Sequence, residues 1–455
     1  MNRRMKNMMI IGLFSIYIVV MALWLWGKSD IEYSVSERRN LAKKPKITVT
    51  SVINGSYMNN FDKYVTDQFP QRETFRKFNS WILVNIMRKK DVNNIYVKDG
   101  YAAKIEDVID YKSVNWGIRQ MRYICDNYIY SEDYIQDENY NNNIKDTANS
   151  DIDSDGDISK ASNNSYDISK ASNNSYDISK ASNNSDDINK NSNSSYDINK
   201  DNNMSDDERK DRVYMCIIPD KNYYLTDGVE YPYIDYDEFV QLYRTGMDDY
   251  TRYIDISNLL NIDNYYKTDI HWRQETLVDI AKQILDAMTE YDNDISNDDI
   301  EDYKVNTGNE EFYGVYYGQR ALSMKPDIIR YLTSDIIDDY RVTYADTGEA
   351  VSMPVYDMGK ASGRDPYEMY LGGSLSLVTI DNAKADTDRR LIIFRDSFGS
   401  SLAPLLAEKY KQTVLIDIRY ISPTVLSSYV DFENADVLFM YSEQVLNSCA
   451  DQFKR

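Results

Sequence analysis

The sequence predicts an α/β fold in which a mostly parallel sheet is flanked by helices. Towards the carboxyl end of the chain, apolar strand-like runs alternate with patterns of helical spacing, and the same alternation begins upstream. The predicted strands are 213–219, 391–394, 413–418 and 437–441, and the predicted helices are 275–288 and 401–410. Strands that alternate with helices in this way are typical of parallel sheets covered on both faces.

The amino terminus predicts a membrane anchor. Arg3, Arg4 and Lys6 precede an uncharged apolar run at 8–27, and ~20 helical residues span the ~30 Å hydrocarbon core of a bilayer. The basic flank should stay in the cytoplasm, so residues 1–28 form a cytoplasmic tip and anchor. A cleaved signal peptide is the alternative, but the run is longer than usual and lacks a clear small-x-small site. Either way, we expect the remaining chain to be extracytoplasmic.

The rest of the chain divides into three parts. Residues 29–90 are predicted to form a juxtamembrane helical stem, with a break in the helix at Pro70. Residues 91–130 and 212–455 form the predicted catalytic domain, in which a strand near 94–98 ends at an Asp-Gly turn. Residues 131–211 are predicted to be an insertion.

A ten-residue repeat fills most of this insertion. Asp-Ile begins each copy, at Asp157, Asp167, Asp177, Asp187 and Asp197. Each copy holds about one aliphatic residue, too few to offset the entropy of ordering, so we expect a disordered low-complexity segment. Calcium binding is the alternative, but the glycine and terminal glutamate of an EF-hand loop are missing.

Composition excludes several classes of function. The formal net charge is −22, so phosphate backbones would repel the chain and nucleic-acid binding is not expected. The three cysteines form no CxxC pair and the chain has one histidine, so neither a metal site nor a cofactor is expected. One disulfide is left open, and Cys216 lies in an apolar run typical of a core.

The single histidine is the most informative residue for chemistry. His271 follows Asp269 by two positions, and Ser397 follows the apolar strand 391–394. Histidine is the usual proton acceptor near neutral pH, and a carboxylate orients it in nucleophilic triads. The pattern therefore predicts a triad of Ser397, His271 and Asp269.

Simpler interpretations exist for each residue. Asp396 or Ser397 alone would suit a helix cap, and His271 alone would suit a hydrogen-bonded structural histidine beside Trp272. The combination favours the triad, because both signals lie at edges of predicted elements and no other histidine exists. The sequence does not decide whether Asp269 or Asp396 orients the imidazole.

Several motifs together resemble one known family. The run Thr268–Trp272 resembles the signature of the DHHW proteins, relatives of the SGNH-like O-acetyltransferases that modify alginate. Further matching motifs lie at 37–42, 67–70, 99–100, 395–398 and 417–420. The resemblance covers about residues 37–442, with the repeat as an insertion. It implies an SGNH-hydrolase-like fold in which the D-x-H pair precedes the serine.

The chain departs from the family pattern at two positions. Ile270 replaces the first histidine of the signature, and Arg395 stands where the classical block before the serine has glycine. Gly373 and Ser374 resemble a glycine-rich block that supplies a second oxyanion donor, with a plain β-turn as the alternative. The oxyanion or substrate candidates are therefore Gly373, Ser374, Arg395 and Trp272; Trp272 and the tyrosines at 265 and 266 would stack on sugars or pack in the core.

The resulting hypothesis is a single-pass, extracytoplasmic O-acetyltransferase that modifies a cell-surface polysaccharide through an acetyl-serine intermediate. The resemblance implies a multi-spanning membrane acyltransferase as the acetyl donor. Two alternatives remain: a carbohydrate esterase with the same triad, and a non-catalytic protein of cell-envelope binding or assembly. The sequence names neither the polysaccharide nor the donor.

Overall fold

The computed structural model describes residues 3–130, 212–225, 228, 230–289, 302–346 and 349–454. The predicted insertion at 131–211 lies outside these residues. The helices are α1 Arg3–Gly27, α2 Val49–Ile53, α3 Ser56–Asp67, α4 Arg72–Asn85, α5 Tyr111–Ile124, α6 Asn222–Leu225, α7 Tyr236–Met247, α8 Val278–Thr289, α9 Val315–Arg320, α10 Met358–Ala361, α11 Ser397–Leu406, α12 Glu443–Leu446 and α13 Cys449–Gln452. The strands are β1 Tyr33–Ser34, β2 Arg39–Asn40, β3 Asp91–Val92, β4 Ile95–Lys98, β5 Tyr101–Lys104, β6 Val213–Ile218, β7 Arg252–Tyr253, β8 Lys304–Phe312, β9 Asp327–Thr333, β10 Arg341–Asp346, β11 Glu349–Met353, β12 Leu377–Asp381, β13 Arg390–Arg395, β14 Gln412–Ile416 and β15 Ala435–Ser442.

The central sheet confirms the predicted α/β class. Its strand order is β11-β10-β12-β14-β13-β15-β6-β7. The pairings from β14 through β7 are parallel, and those that join β11, β10, β12 and β14 are antiparallel. The parallel part therefore contains β13, whose carboxyl end precedes Ser397.

Apolar side chains cover both faces of the sheet. Alternate residues of β6 point to opposite sides: Tyr214, Cys216 and Ile218 belong to one core, and Val213, Met215 and Ile217 belong to the other. Helices α8 and α11 pack on the first face, and α5 and α7 pack on the second. This double burial explains why the strands are continuous apolar runs without polar alternation.

Several local predictions are confirmed and one boundary is wrong. The stem helix is broken at Pro70, between α3 and α4, and Asp99 and Gly100 form the turn between β4 and β5 with φ of 51° and 86°. The three cysteines are buried and unpaired, so the disulfide left open does not form. Helix α11 begins at Ser397 and not at 401, because the Asp396 side chain caps it by accepting the Phe398 N–H.

Helix α1 is apolar and exposed along most of its length. Residues 4–27 form the one helix in the described part of the chain with the length and hydropathy to cross a membrane. The same properties suit an anchor and a signal sequence. The helix therefore agrees with the predicted membrane segment without separating these two interpretations.

A short segment after α1, residues 31–42, folds back onto the stem helices and is called the arm here. Its strands β1 and β2 pair as a small hairpin with Arg38 at the turn. Arg39 forms a bidentate ion pair with Asp67, at 2.9 and 2.6 Å, and this hydrogen bond holds the pKa of Asp67 below its usual range. The Gln68 side chain accepts the Ile31 N–H and donates to the Ile31 carbonyl. The arm is therefore fixed to the end of α3.

The arm also contacts α9, which follows β8 in the chain, at a glycine. A Cβ placed on Gly318, in α9, would lie 1.4 Å from the Ser36 carbonyl oxygen. Arg76 of α4 donates to the Gly318 carbonyl at 2.8 Å, next to the same contact. Only glycine permits this approach of the arm backbone to α9.

Gly318→Ala should therefore displace the arm and lower the free energy of unfolding by about 1–3 kcal/mol, the usual range for overpacking. Urea unfolding of the full chain measures this loss. Gly27→Ala is the control, because nothing lies within 4 Å of a Cβ at that position. Equal stability of the two variants would contradict the close contact.

Candidate active site

Ser397 lies at the carboxyl end of β13, on the edge of the sheet where α/β proteins place their sites. It is the first residue of α11, directly after the capping residue Asp396. Ser397 is partly exposed, whereas its neighbours from Leu391 to Asp396 and from Phe398 to Ala407 are buried. The fold thus presents one hydroxyl at the start of an otherwise buried helix.

The structure brings the three predicted triad residues together. His271 Nε2 lies 2.8 Å from Ser397 Oγ, and His271 Nδ1 lies 2.5 Å from Asp269 Oδ1. An ionised carboxylate only accepts hydrogen bonds, so Nδ1 carries the proton and Nε2 is left to accept from the Ser397 hydroxyl. This is the arrangement that a nucleophilic serine requires.

The Asp269 carboxylate is fully buried and meets four donors. Oδ1 accepts the ring and backbone N–H of His271, and Oδ2 accepts the Val315 N–H at 2.8 Å and the Arg38 guanidinium at 3.2 Å. Burial alone would raise the pKa of Asp269, but Arg38, His271 and the Val315 N–H together lower it below its usual range. Asp269 is therefore held in its ionised form.

The loop that carries Asp269 and His271 is fixed by the buried side chain of Lys221 and the partly buried side chain of Asp327. Lys221 Nζ donates to the carbonyls of Tyr266 and Asp269 at 2.9 and 2.5 Å, and burial lowers the pKa of Lys221 to about 8. Asp327 accepts the N–H and hydroxyl of Thr268 at 2.7 and 2.6 Å. These contacts leave little freedom at Asp269.

A second glycine allows α9 to reach Asp269. A Cβ on Gly314 would lie 2.3 Å from Asp269 Cβ and 2.4 Å from the Thr268 carbonyl oxygen. This closeness lets Val315, the first residue of α9, donate its N–H to the carboxylate. Ile270, at the position of the missing signature histidine, packs against the apolar core.

The structure separates the roles of the two candidate aspartates. Asp396 accepts the Phe398 N–H at 2.9 Å and both the N–H and hydroxyl of Ser442 at 2.8 and 2.6 Å. It therefore caps α11 and ties it to the end of β15. Asp269 is the carboxylate that contacts the imidazole.

Sequence reasoning missed Tyr367, whose ring stacks on the imidazole. The two ring centroids are 3.8 Å apart and the planes differ by 7°. The Tyr367 hydroxyl lies 2.8 Å from Ser401 Oγ on α11. The ring fixes the plane of His271, and nothing in the local sequence pattern distinguishes this tyrosine from the other 40.

Sequence reasoning also missed Arg38, which reaches the site from the arm. Arg38 Nη1 lies 3.2 Å from Asp269 Oδ2 and 2.8 Å from Asp365 Oδ1. The available signal was the 37–42 motif in the family resemblance, which contains Arg38 without indicating its partner. The separation of 231 positions between Arg38 and Asp269 explains why spacing could not reveal the contact.

The predicted glycine-rich oxyanion block forms a turn. Gly373 N–H donates to the Tyr370 carbonyl at 3.0 Å, and Leu371 and Gly372 both have positive φ. The Gly373 amide is thereby used within the turn, which agrees with the β-turn alternative. Ser374 is exposed beside it.

Arg395 and Trp272 are both buried within the protein. Arg395 is fully buried, forms an ion pair with Asp417 at 3.6 Å and donates to the Gly373 carbonyl at 3.3 Å. Trp272 is also fully buried, and its indole N–H donates to the Phe398 carbonyl and to Ser401 Oγ. In this structure their polar groups support the turn and α11, and a role for either residue in binding an oxyanion or substrate stays a prediction. Tyr265 and Tyr266 are buried as well, so core packing describes all three aromatic residues.

A cavity of about 710 Å³ lies between the arm, the stem segment 67–73 and two later segments, 309–317 and 362–366. Tyr33, Tyr313 and Tyr317 line it, but the triad residues do not. Within the described residues, no group of three or more histidine, cysteine, aspartate or glutamate side chains is placed to hold a metal ion.

Comparison with solved structures finds similar folds at low identity. The chain is similar to a DHHW family protein from Eubacterium siraeum, with 21% identity, a TM-score of 0.40, and coverage of 52% of this chain and 78% of the other. It is similar to PatB1 from Bacillus cereus, with 13% identity, a TM-score of 0.46 and coverage of 77% and 96%. It is also similar to the O-acetyltransferase domain of AlgJ from Pseudomonas putida, with 12% identity, a TM-score of 0.30 and coverage of 53% and 78%. No family model and no curated protein matches the chain. Similarity at this level concerns the fold alone.

Lys221→Met should remove a pH-dependent contribution to the free energy of unfolding, because it removes the titratable ammonium group that binds two carbonyls of the loop. The pKa of Lys221 is depressed in the folded chain, so the unfolded chain binds more protons between about pH 8 and the ordinary value of 10.5. Wild-type stability should therefore gain a contribution as pH rises through this window, and the variant should lack it. Urea unfolding at pH 7.5 and 10 measures the difference. Lys360→Met, at a lysine that binds the Gly372 carbonyl near the surface, is the control and should keep the wild-type slope; the same slope in Lys221→Met would contradict the argument.

Proposed function

We propose that the protein is an extracytoplasmic, membrane-anchored O-acetyltransferase that modifies a cell-surface polysaccharide. The observation that carries the proposal is the continuous hydrogen-bonded chain from Ser397 through His271 to the buried Asp269. A serine that only capped a helix would not need an imidazole whose second nitrogen meets an ionised carboxylate.

The first half of the reaction acylates the serine. Ser397 Oγ attacks the carbonyl carbon of the acetyl donor while its proton passes to His271 Nε2. The bond between the acetyl carbon and the donor oxygen then breaks, and the proton on Nε2 goes to the leaving group. Asp269 stabilises the imidazolium during both transfers.

The second half transfers the acetyl group to a sugar hydroxyl. His271 Nε2 takes the hydroxyl proton as the sugar oxygen attacks the acetyl carbon, and Ser397 Oγ leaves and regains that proton. The start of α11 supports the oxyanion in both halves, because Ser397 N–H occupies a position without an intrahelical acceptor. Asp396 takes the Phe398 N–H with its side chain and the Gly399 N–H with its carbonyl.

The surroundings of the reaction follow from the sequence pattern. Helix α1 anchors the chain in the cell membrane, residues 29–90 form the stem, and 91–130 with 212–455 form the catalytic domain around the 131–211 insertion. A multi-spanning membrane acyltransferase supplies the acetyl group. Sequence resemblance supports the polysaccharide acceptor and this donor.

Wild-type protein incubated with p-nitrophenyl acetate should gain the mass of one acetyl group on Ser397, and Ser397→Ala should gain none. Intact mass and peptide mapping measure the adduct. Ser400→Ala is the matched control, because Ser400 is a buried serine on the same helix outside the triad. It should acetylate as wild type does.

The fate of the adduct distinguishes the alternatives. Transfer of acetyl from Ser397 to an added glycan faster than hydrolysis supports the transferase, and hydrolysis that no glycan diverts indicates an esterase. A folded wild-type protein that forms no adduct, with or without membranes that contain the donor, would contradict the enzyme and favour an envelope-binding role.

A further inference from the structure

The arm extends the active site beyond the triad. We infer that Arg38 is a positioning residue that bridges Asp269 and Asp365, so that the juxtamembrane arm completes the active centre. This inference rests on the proposed function and adds to it a requirement for a segment placed next to the anchor.

The contacts of Arg38 are those of a residue built into a site. Its side chain is 9% exposed. Nη1 contacts both carboxylates, Nη2 donates to the Tyr313 carbonyl at 3.0 Å, and the guanidinium lies 5.5 Å from the Phe312 ring centroid. A residue that merely tethered the arm would not need the fully buried Asp269 as a partner in addition to Asp365, whose side chain is 26% exposed.

The backbone of the arm is shaped to deliver this side chain. Arg38 has φ of 51°, a left-handed backbone conformation that residues other than glycine rarely adopt. Arg39, Glu37 and Ser36 on either side bind Asp67, Arg72 and Glu73 of the stem. The stem therefore holds both flanks of Arg38 while its side chain points into the site.

Arg38 also offsets the repulsion between the carboxylates of Asp269 and Asp365. Burial raises the pKa of Asp365, as does the nearby charge of Asp269, and Arg38 opposes this shift. Without the guanidinium, the two carboxylates would lose the cation that contacts both of them, and their mutual repulsion would favour protonation of one of them. Asp365 also accepts the Tyr367 N–H, so the same bridge links Asp269 to the turn whose tyrosine stacks on His271.

The expected pH effect has a definite sign. Asp269 must be ionised to orient His271, and His271 Nε2 must carry no proton in order to accept from Ser397. Arg38 places a positive charge beside this hydrogen-bonded pair. Loss of that charge lets the pair take up a proton more easily, so activity should disappear at a higher pH on the acid side. The charged or titratable groups that face Asp269 are Arg38 from the arm, Asp365 and Tyr367 from the 365–369 turn, His271 from its own loop, Lys221 from the segment before α6, and Tyr316 from α9.

The test uses the full chain in membranes or detergent and measures the rate of Ser397 acetylation by p-nitrophenyl acetate against pH. Arg38→Gln should lower the rate by about 10- to 100-fold, less than the ~10⁴-fold effect of losing the aspartate of a triad. The acid limb should move up by about one pH unit. Arg38→Lys, which keeps the charge, should recover part of the rate and most of the pH profile.

Arg390→Gln is the matched control, since Arg390 binds Asp431 at the amino end of β13, the end opposite Ser397. It should leave the rate and pH profile unchanged. A wild-type rate and profile in folded Arg38→Gln would overturn the inference, as would an Arg390→Gln profile shifted like that of Arg38→Gln.

Two further measurements keep the inference testable. Because the chain has one histidine, the NMR signal of its Nδ1 proton reports the hydrogen bond to Asp269 directly, and Arg38→Gln should weaken this signal. The NMR result does not depend on catalysis. A wild-type protein that never becomes acetylated would therefore contradict the proposed enzyme but leave the positioning role of Arg38 testable. If Arg38→Gln does not fold, Arg38→Lys decides, because a single ammonium group keeps the charge but cannot reproduce all the contacts of the guanidinium. Its rate should fall below that of wild type while its pH profile stays close to that of wild type, and a wild-type rate would overturn the inference.

Discussion

The buried charge of Asp269 is the constraint on which the rest of the site depends. A carboxylate with no exposure to water destabilises the fold by several kcal/mol unless donors surround it. Its donors come from the arm, from the start of α9 and from its own loop. Each donor depends on the course of its own backbone segment. Helix α9 approaches the Asp269 loop at Gly314 and the arm at Gly318, and a Cβ at either position would clash with the neighbouring segment. The demand of one charge thus explains why distant segments converge here.

Ser397, the proposed nucleophile, lies in a part of the fold that needs no such convergence. Strand β13 and helix α11 are consecutive, and Asp396 joins them by capping the helix and binding Ser442 at the end of β15. Ser397 is therefore positioned by local structure and sheet register. The triad therefore combines a serine placed by local structure with an imidazole placed by long-range contacts, 126 positions earlier in the sequence.

This difference accounts for what the sequence could predict. Strand β13 and the residues Asp269, His271 and Ser397 carry local signals: an apolar run, a D-x-H pair and a serine after a strand. Tyr367 carries none, and the 37–42 motif that contains Arg38 does not indicate its partner, because both sets of contacts depend on the packing of the arm and of the 365–369 turn. The contacts of Arg395 could not be predicted for the same reason, since this cation lies beside the serine in sequence but donates to the Gly373 carbonyl. The antiparallel β8–β9 pair also escaped prediction, because β8 is largely polar and both strands are partly exposed.

The arm also limits where the site can lie. Helix α1 ends at Gly27 and Arg38 follows 11 residues later; at ~3.5 Å per residue, Arg38 lies within about 40 Å of that end. With α1 in the membrane, as proposed, Asp269 and its partners are held close to the bilayer surface. An acetyl donor embedded in the same membrane would meet Ser397 at that surface, and a polysaccharide would approach from the other side. The arm would then set both the geometry of the catalytic aspartate and the distance over which the acetyl group travels.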